Sequence, residues 1–274
     1  MPEPIDPEAF RDFEYAGWQR FARGYHDNFA RLTTQVIGPL LDAVNVGEGV
    51  RVLDIATGAG YAAAAAAERG AAVIGVDFSE VQVAMAREQY PKIAFREGDA
   101  EALPFDDESF DVVTINFGML HFPQPERAVA EANRVLRAGG RIGFTVWAMP
   151  AHAKGLDIVL RAIEEHGDPN VPLPPGPPFF RFSDSDECRR VLTEGGFEQP
   201  EFTQVAQIWR FPSPHEFFKA FHEGTPRTGA LLRAQHSEVL ETIRMAIVEA
   251  ASAYETKGII EIPMPAVLAS AIKP

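Results

Sequence analysis

Three aspartates set the frame of this chain. Asp54, Asp77 and Asp99 recur at intervals of 23 and 22 residues, each at or just beyond the end of a short apolar run. The runs are Val50-Arg51-Val52-Leu53, Ala72-Val73-Ile74-Gly75-Val76 and Ile93-Ala94-Phe95-Arg96-Glu97-Gly98. Between the first two lie Thr57-Gly58-Ala59-Gly60 and an alanine-rich stretch, 61–69, that favours helix and allows close approach to a sheet. Strand, glycine-rich turn, helix and strand at this spacing predict βαβ units of a parallel sheet. Ligands of such sheets bind beyond the carboxyl ends of the strands. Here those ends carry carboxylates, so the ligand should offer hydroxyls, amines or positive charge.

The glycines alone would suggest a dinucleotide. Gly58-Ala59-Gly60-Tyr61-Ala62-Ala63 fits the relaxed fingerprint, with Asp77 near the expected acidic position. Asp54 opposes that reading, because a carboxylate four residues before the first glycine would repel a pyrophosphate on the helix N-terminus. It suits an ammonium or a sulfonium. The expected ligand has a ribose for Asp77, a base near Asp99 and a cationic amino-acid end near Asp54. S-adenosylmethionine has all three parts.

At these residues the chain resembles the class I S-adenosylmethionine-dependent methyltransferases, from about residue 50 to 147. Leu53-Asp54-Ile55-Ala56-Thr57-Gly58-Ala59-Gly60 resembles the first motif, with Ala56 where the family often has glycine. Val76-Asp77-Phe78-Ser79 is similar to the ribose-binding strand end, and Gly98-Asp99-Ala100-Glu101-Ala102-Leu103-Pro104-Phe105 to the adenine-side motif. Phe110-Asp111-Val112-Val113 and Val135-Leu136-Arg137-Ala138-Gly139-Gly140 resemble the fourth and fifth strand signatures. The branch most resembled contains the ubiquinone and menaquinone biosynthesis methyltransferases (methyltransferase type 11-like). The resemblance implies an α/β, Rossmann-like, doubly wound sheet of seven strands in the order 3-2-1-4-5-7-6, with strand 7 antiparallel. It also implies S-adenosyl-L-methionine as cofactor, held by Asp54, Ala56, Thr57, Gly58, Gly60, Asp77, Phe78, Gln82, Gly98, Asp99 and Ala100. Asn116, Phe117 and Gly118, at the end of the fourth strand, should lie beneath the methionine part.

The 274 residues suit one domain with an elaborated cap. A net charge of −14 argues against nucleic acid, whose binding rests on neutralised phosphates, and against anionic membrane surfaces. The single cysteine, Cys188, excludes an intrachain disulfide and a multi-cysteine metal site, and no metal is expected. Met1-Pro2-Glu3-Pro4-Ile5-Asp6 has no apolar core and does not read as a signal peptide. No apolar run approaches the ~20 residues that span a bilayer. A cytoplasmic protein is expected, monomer or homodimer.

Around the cofactor core at 50–147, the outer segments are expected to build the acceptor site. Residues 1–46 read as an N-terminal helical lid whose aromatic residues include Trp18 and Tyr25, the latter facing the cofactor. Ser79-Glu80-Val81-Gln82 is a capping box that starts a helix after Asp77. Gly139-Gly140 is expected to end the helix that precedes the fifth strand. In the C-terminal half, 148–274, the proline-rich segment 168–178 reads as a stiff loop or a lid. Residues 202–211 and 259–272 read as the last strands, with an α-helical substrate cap inserted between them at about 214–256. His121 follows the fourth strand and could serve as a general base. Trp18, Phe217, Phe221 and Arg227 are candidates for the acceptor pocket, Arg227 as an anchor for an anionic group. The expected activity is methyl transfer by in-line displacement to an O, C or N nucleophile of a small-molecule acceptor. The alternatives are a non-catalytic binder of S-adenosylmethionine or S-adenosylhomocysteine and an NAD-dependent oxidoreductase. The latter lacks a Tyr-x-x-x-Lys constellation after the fourth strand.

Overall fold

The α/β alternation gives one central sheet in the computed structural model of the chain, which describes residues 5–274. Residues 1–4, within the segment judged for a signal peptide, lie outside the described residues. The chain begins with α1 (Pro7–Thr33), capped by the Asp6 carboxylate, and α2 (Ile37–Ala43). Then come β1 (Arg51–Ile55), α3 (Tyr61–Glu68), β2 (Ala72–Asp77), α4 (Glu80–Gln89), β3 (Ala94–Glu97), β4 (Phe110–Asn116), α5 (Pro125–Val135) and β5 (Leu136–Trp147). The second half holds α6 (Lys154–His166), α7 (Ser185–Glu194), β6 (Glu198–Val205), β7 (Ile208–Phe211), α8 (Pro214–Gly224), α9 (Arg227–Arg233), α10 (Ser237–Ser252), β8 (Glu255–Thr256), β9 (Ile259–Pro263) and β10 (Ala266–Ile272). The main sheet runs β3-β2-β1-β4-β5-β10-β6. β10 pairs antiparallel with both β5 and β6, so the order and the reversed seventh strand are those expected.

The last strands depart from the expected outline. Residues 202–211 and 259–272 each break in two, and the pieces β7 and β9 form, with β8 from the end of the helical cap, a separate three-stranded sheet. Pro263 and Pro265 have no N–H to give a ladder, so the chain changes sheets where they stand. Gln207 holds the break: its backbone carbonyl accepts from Met264 N–H and its buried side chain donates to Met264 O. The small sheet turns Trp209, Phe211, Ile260 and Ile262 into one core with Phe217 and Phe221 of α8 and Ile243 and Ile247 of α10. Gly139-Gly140 is no helix cap either. α5 stops at Val135, and the glycines lie in the irregular start of β5, paired with Lys273.

α1 lies close against α8 because glycines face it. A Cβ on Gly24 would come within 2.3 Å of Glu223 O, and one on Gly17 within 2.7 Å of the Pro226 ring. These contacts explain two glycines inside a 27-residue helix, where each costs about 1 kcal/mol relative to alanine.

Candidate active site

The ends of β1, β2, β3 and β4 meet under α1 in a cleft of about 1030 Å³, its open mouth included. Every residue expected around a cofactor lines it except Gly60. A Cβ on Gly60 would strike the Phe95 ring at 2.8 Å, so this glycine, at φ +86°, lets α3 pack on the sheet. Gly58, at φ +56°, is different: its nearest neighbour would be Gln82 Oε1 at 3.9 Å, so the turn is open towards the cleft. Ala56 and Phe117 hold φ of +52° and +57°, a conformation unfavourable to residues with a Cβ. Two of the six left-handed non-glycine residues among those described thus lie at the cleft, where strain at a functional site is expected. Ala56 therefore does more than add a methyl where the family has glycine. Its Cβ also crowds Gly118, where a further Cβ would come within 2.7 Å.

The two deepest carboxylates are buried. Asp54 is 1% exposed and accepts from the hydroxyls of Thr57 at 2.6 Å and Thr114 at 2.7 Å. Burial pushes it up to about 6, against the pull of these hydrogen bonds. Asp77 accepts from the backbone N–H of Gly58 and of Ser79, both at 2.9 Å, and burial likewise pushes it up to about 6. Half of the expected capping box is present, Ser79 Oγ accepting from Gln82 N–H. Ser79's own N–H goes to Asp77 instead of returning to Gln82. Carboxylate oxygens carry more than one lone pair, so Asp77 keeps acceptor capacity for a diol. Two buried carboxylates with no salt-bridge partner among the described residues suit a ligand that brings hydroxyls and positive charge.

α1 closes the top of the cleft. Arg11 pairs with Asp99 and donates to buried Glu101 at 2.7 Å. Gln19 accepts from Ser79 Oγ at 2.9 Å, and the Tyr15 ring meets Phe78 edge-on at 5.8 Å. Asp99, expected beside an adenine, thus already holds Arg11 on one oxygen and Glu101 N–H on the other. Asn116 bridges Thr33 O and Thr145 Oγ1. His26 joins the wall, bonded to the Tyr61 hydroxyl and stacked on its ring. Arg11 and His26 were not singled out from the sequence, since surface-type residues on a helix show their partners only once the helix is docked.

Beyond the cleft lies a chamber of about 410 Å³, its open mouth included, reached past Trp18, Tyr25, Phe117 and His121, which line both. Its walls are mainly aromatic, with Phe29, Trp147, Phe179 and Phe221 added. Tyr25 stacks on Phe29 at 5.2 Å, and enclosure pushes its phenol up to about 12, so it stays neutral. His121 Nδ1 lies 2.9 Å from Glu14 Oε2, and Trp18 meets the imidazole edge-on at 4.9 Å. Phe217 is placed elsewhere: at 0% exposure it packs against Trp209, Phe211 and Phe221 and reaches none of these cavities. Arg227 is also not the open anchor expected. It donates to Leu120 O at 2.9 Å and Pro177 O at 3.0 Å, and lies over the rings of Phe10 and Phe179. With two of its five donors on these carbonyls, it ties the proline-rich loop to the turn after β4. That loop roofs a third cavity of about 790 Å³, which shares Leu156, Phe179, Arg227 and Thr228 with the aromatic chamber. Cys188 is a buried helix residue whose thiol donates to Phe182 O.

Residues 53–144 match the family described as a methyltransferase domain. Demethylmenaquinone methyltransferase of Clavibacter sepedonicus is 37% identical over 137 residues, 48% of this chain and 53% of that protein. The chain spans about half the length of the curated relatives it matches. Among solved structures, the YcgJ protein of Bacillus subtilis superposes with a TM-score of 0.60 at 22% identity, covering 87% of this chain and 98% of that one. Haemonchus contortus phosphoethanolamine N-methyltransferase 2, in complex with phosphomonomethylethanolamine and S-adenosylhomocysteine, gives 0.58 at 19% identity, covering 98% and 61%. By these matches residues 53–144 are similar to methyltransferase domains, the menaquinone-type enzymes among them, and the chain as a whole has the Rossmann-like fold of solved methyltransferases.

Proposed function

We propose that this chain methylates a small-molecule acceptor, with S-adenosylmethionine in the cleft and the acceptor in the aromatic chamber. The observation that carries this reading is the shared wall: four side chains line both spaces, so ligands in the two would meet at Trp18, Tyr25, Phe117 and His121. The residues fit the cofactor. Asp77 retains lone pairs for ribose hydroxyls, the turn at Gly58 is open to ligand backbone contact, and buried Asp54 gains a counter-charge from a cation. When bound, S-adenosylmethionine supplies an activated methyl on a sulfonium. The chain's part is then to align the nucleophile, exclude water and receive a proton where the nucleophile is a hydroxyl. His121, at the junction, is the group for that proton. The aromatic walls favour a planar or apolar acceptor over a strongly hydrated one.

A chamber beside the cleft also weighs against a purely non-catalytic binder, which needs no room for a second molecule. The relatives named for demethylmenaquinone make that compound the first acceptor to try, followed by simpler phenols, quinols and amines. The experiment follows tritium from methyl-labelled S-adenosylmethionine into each. Transfer to at least one acceptor, with a fall in kcat of roughly a hundredfold in His121→Ala for hydroxyl acceptors, is the expected result. Tight cofactor binding with no transfer to any of them would favour the non-catalytic reading.

A further inference from the structure

Glu14 is a carboxylate where the sequence pattern calls for an apolar side chain. It lies between Phe10 and Trp18 on the inner face of α1, and it is 0% exposed. Oε2 is 2.9 Å from His121 Nδ1, across 107 residues of chain. Oε1 has no hydrogen-bond partner among the described residues, and the Arg227 guanidinium Nε stands 3.8 Å away. Burying such a group costs several kcal/mol unless it is paired, so its place in the core asks for a reason.

We propose that Glu14 is the positioning residue of the site, holding the His121 proton on Nδ1 and leaving the Nε2 lone pair for the acceptor. This rests on the reading of His121 as the proton-accepting group. An ionised carboxylate can only accept, so the neutral imidazole bonded to it carries its hydrogen on Nδ1. Nε2 is then the nitrogen able to take a proton from an acceptor hydroxyl. The imidazolium formed stays beside a negative charge, which Arg227 in turn balances from behind. Trp18 against the ring limits its rotation. Because Glu14 belongs to α1, the ring is set only when α1 is seated, and Arg11 and Gln19 seat α1 on the loops after β3 and β2. Helix docking and alignment of the base are one event in this arrangement.

The test needs no acceptor. Nitrogen-15 shifts of the His121 ring, assigned by its loss in His121→Ala, report the tautomer at about pH 9, where an ordinary imidazole is neutral. The wild type should show hydrogen on Nδ1. Glu14→Leu, which keeps an apolar filling, should lose that preference, and Glu14→Gln, whose amide oxygen still accepts, should retain it. A wild-type ring with hydrogen on Nε2, or on both nitrogens, overturns the proposal, as does an unchanged tautomer in Glu14→Leu. Calorimetry with S-adenosylmethionine shows that each variant is folded, with affinity expected to remain within about threefold of the wild type, since Glu14 does not line the cleft. Once an acceptor is known, kcat should fall in Glu14→Leu and recover in Glu14→Gln. If the ring behaves as expected but His121→Ala methylates hydroxyls at the wild-type rate, the fault lies with His121 as the base and not with the hold of Glu14 on it.

Discussion

Asp54→Asn should move stability and cofactor affinity in opposite directions. The Asp54 carboxyl is pushed from 3.8 to about 6, chiefly by burial, with Thr57 and Thr114 pulling it back and Asp77 adding repulsion. A raised value means that the fold prefers the neutral acid. The group's contribution is complete below about pH 3.8, the unfolded value, and is lost as pH rises to about 6. The difference of 2.2 units at 1.36 kcal/mol each puts the cost of the buried charge above pH 6 at about 3 kcal/mol. Asparagine cannot ionise, and the two hydroxyls can turn to accept or donate as its amide requires. Urea denaturation of the ligand-free protein at pH 8 should therefore find Asp54→Asn more stable by up to about 3 kcal/mol, with the gain vanishing near pH 4. A cationic ligand reverses the balance. Calorimetry should show wild-type affinity for S-adenosylmethionine weakening as pH falls through about 6, and in Asp54→Asn a weaker affinity with a shallower pH dependence, the part that remains coming from Asp77. A variant less stable at pH 8, or a stability difference that does not change with pH, would refute the argument.

Two further outcomes follow from the same geometry. Asp77→Ala should weaken S-adenosylmethionine by roughly 1.5–3 kcal/mol in calorimetry, and a thermal scan should also show a lower Tm, because Gly58 and Ser79 lose the acceptor for their N–H groups; NAD should not compete in the wild type. Ala56→Gly relieves a left-handed alanine, worth about 1–2 kcal/mol, against roughly 0.5–1 kcal/mol of extra chain entropy, so urea denaturation should find it neutral or up to about 1.5 kcal/mol more stable.

Much of the cofactor half was legible because its signals are local. A strand, a turn that needs positive φ and a helix that needs alanine occupy consecutive residues, and Asp54, Asp77 and Asp99 take their places from the strands that precede them. The acceptor side was not legible in this way. Phe217 and Phe221 stand four apart on α8 and both are core, yet only Phe221 reaches the chamber, which depends on Trp209 and the small sheet beneath them. Arg227 looked like an anion site until its partners at Leu120 and Pro177 were in place. Glu14 gave a faint sign, an acid in the aromatic series Phe10, Glu14, Trp18, but no sign of its partner.

By itself, then, the sequence determined the elements of the cofactor half and the strand ends that face the cleft, since backbone sterics and apolar period act over a few residues; the strand order came from the family resemblance, and the second sheet from neither. Tertiary structure alone decided which polar groups are spent on the protein and which remain for a ligand. Arg11 meets Asp99 across 88 residues, each side chain still about a third exposed, and buried Glu14 meets His121 across 107; such pairs exist only once α1 is docked over the strand ends.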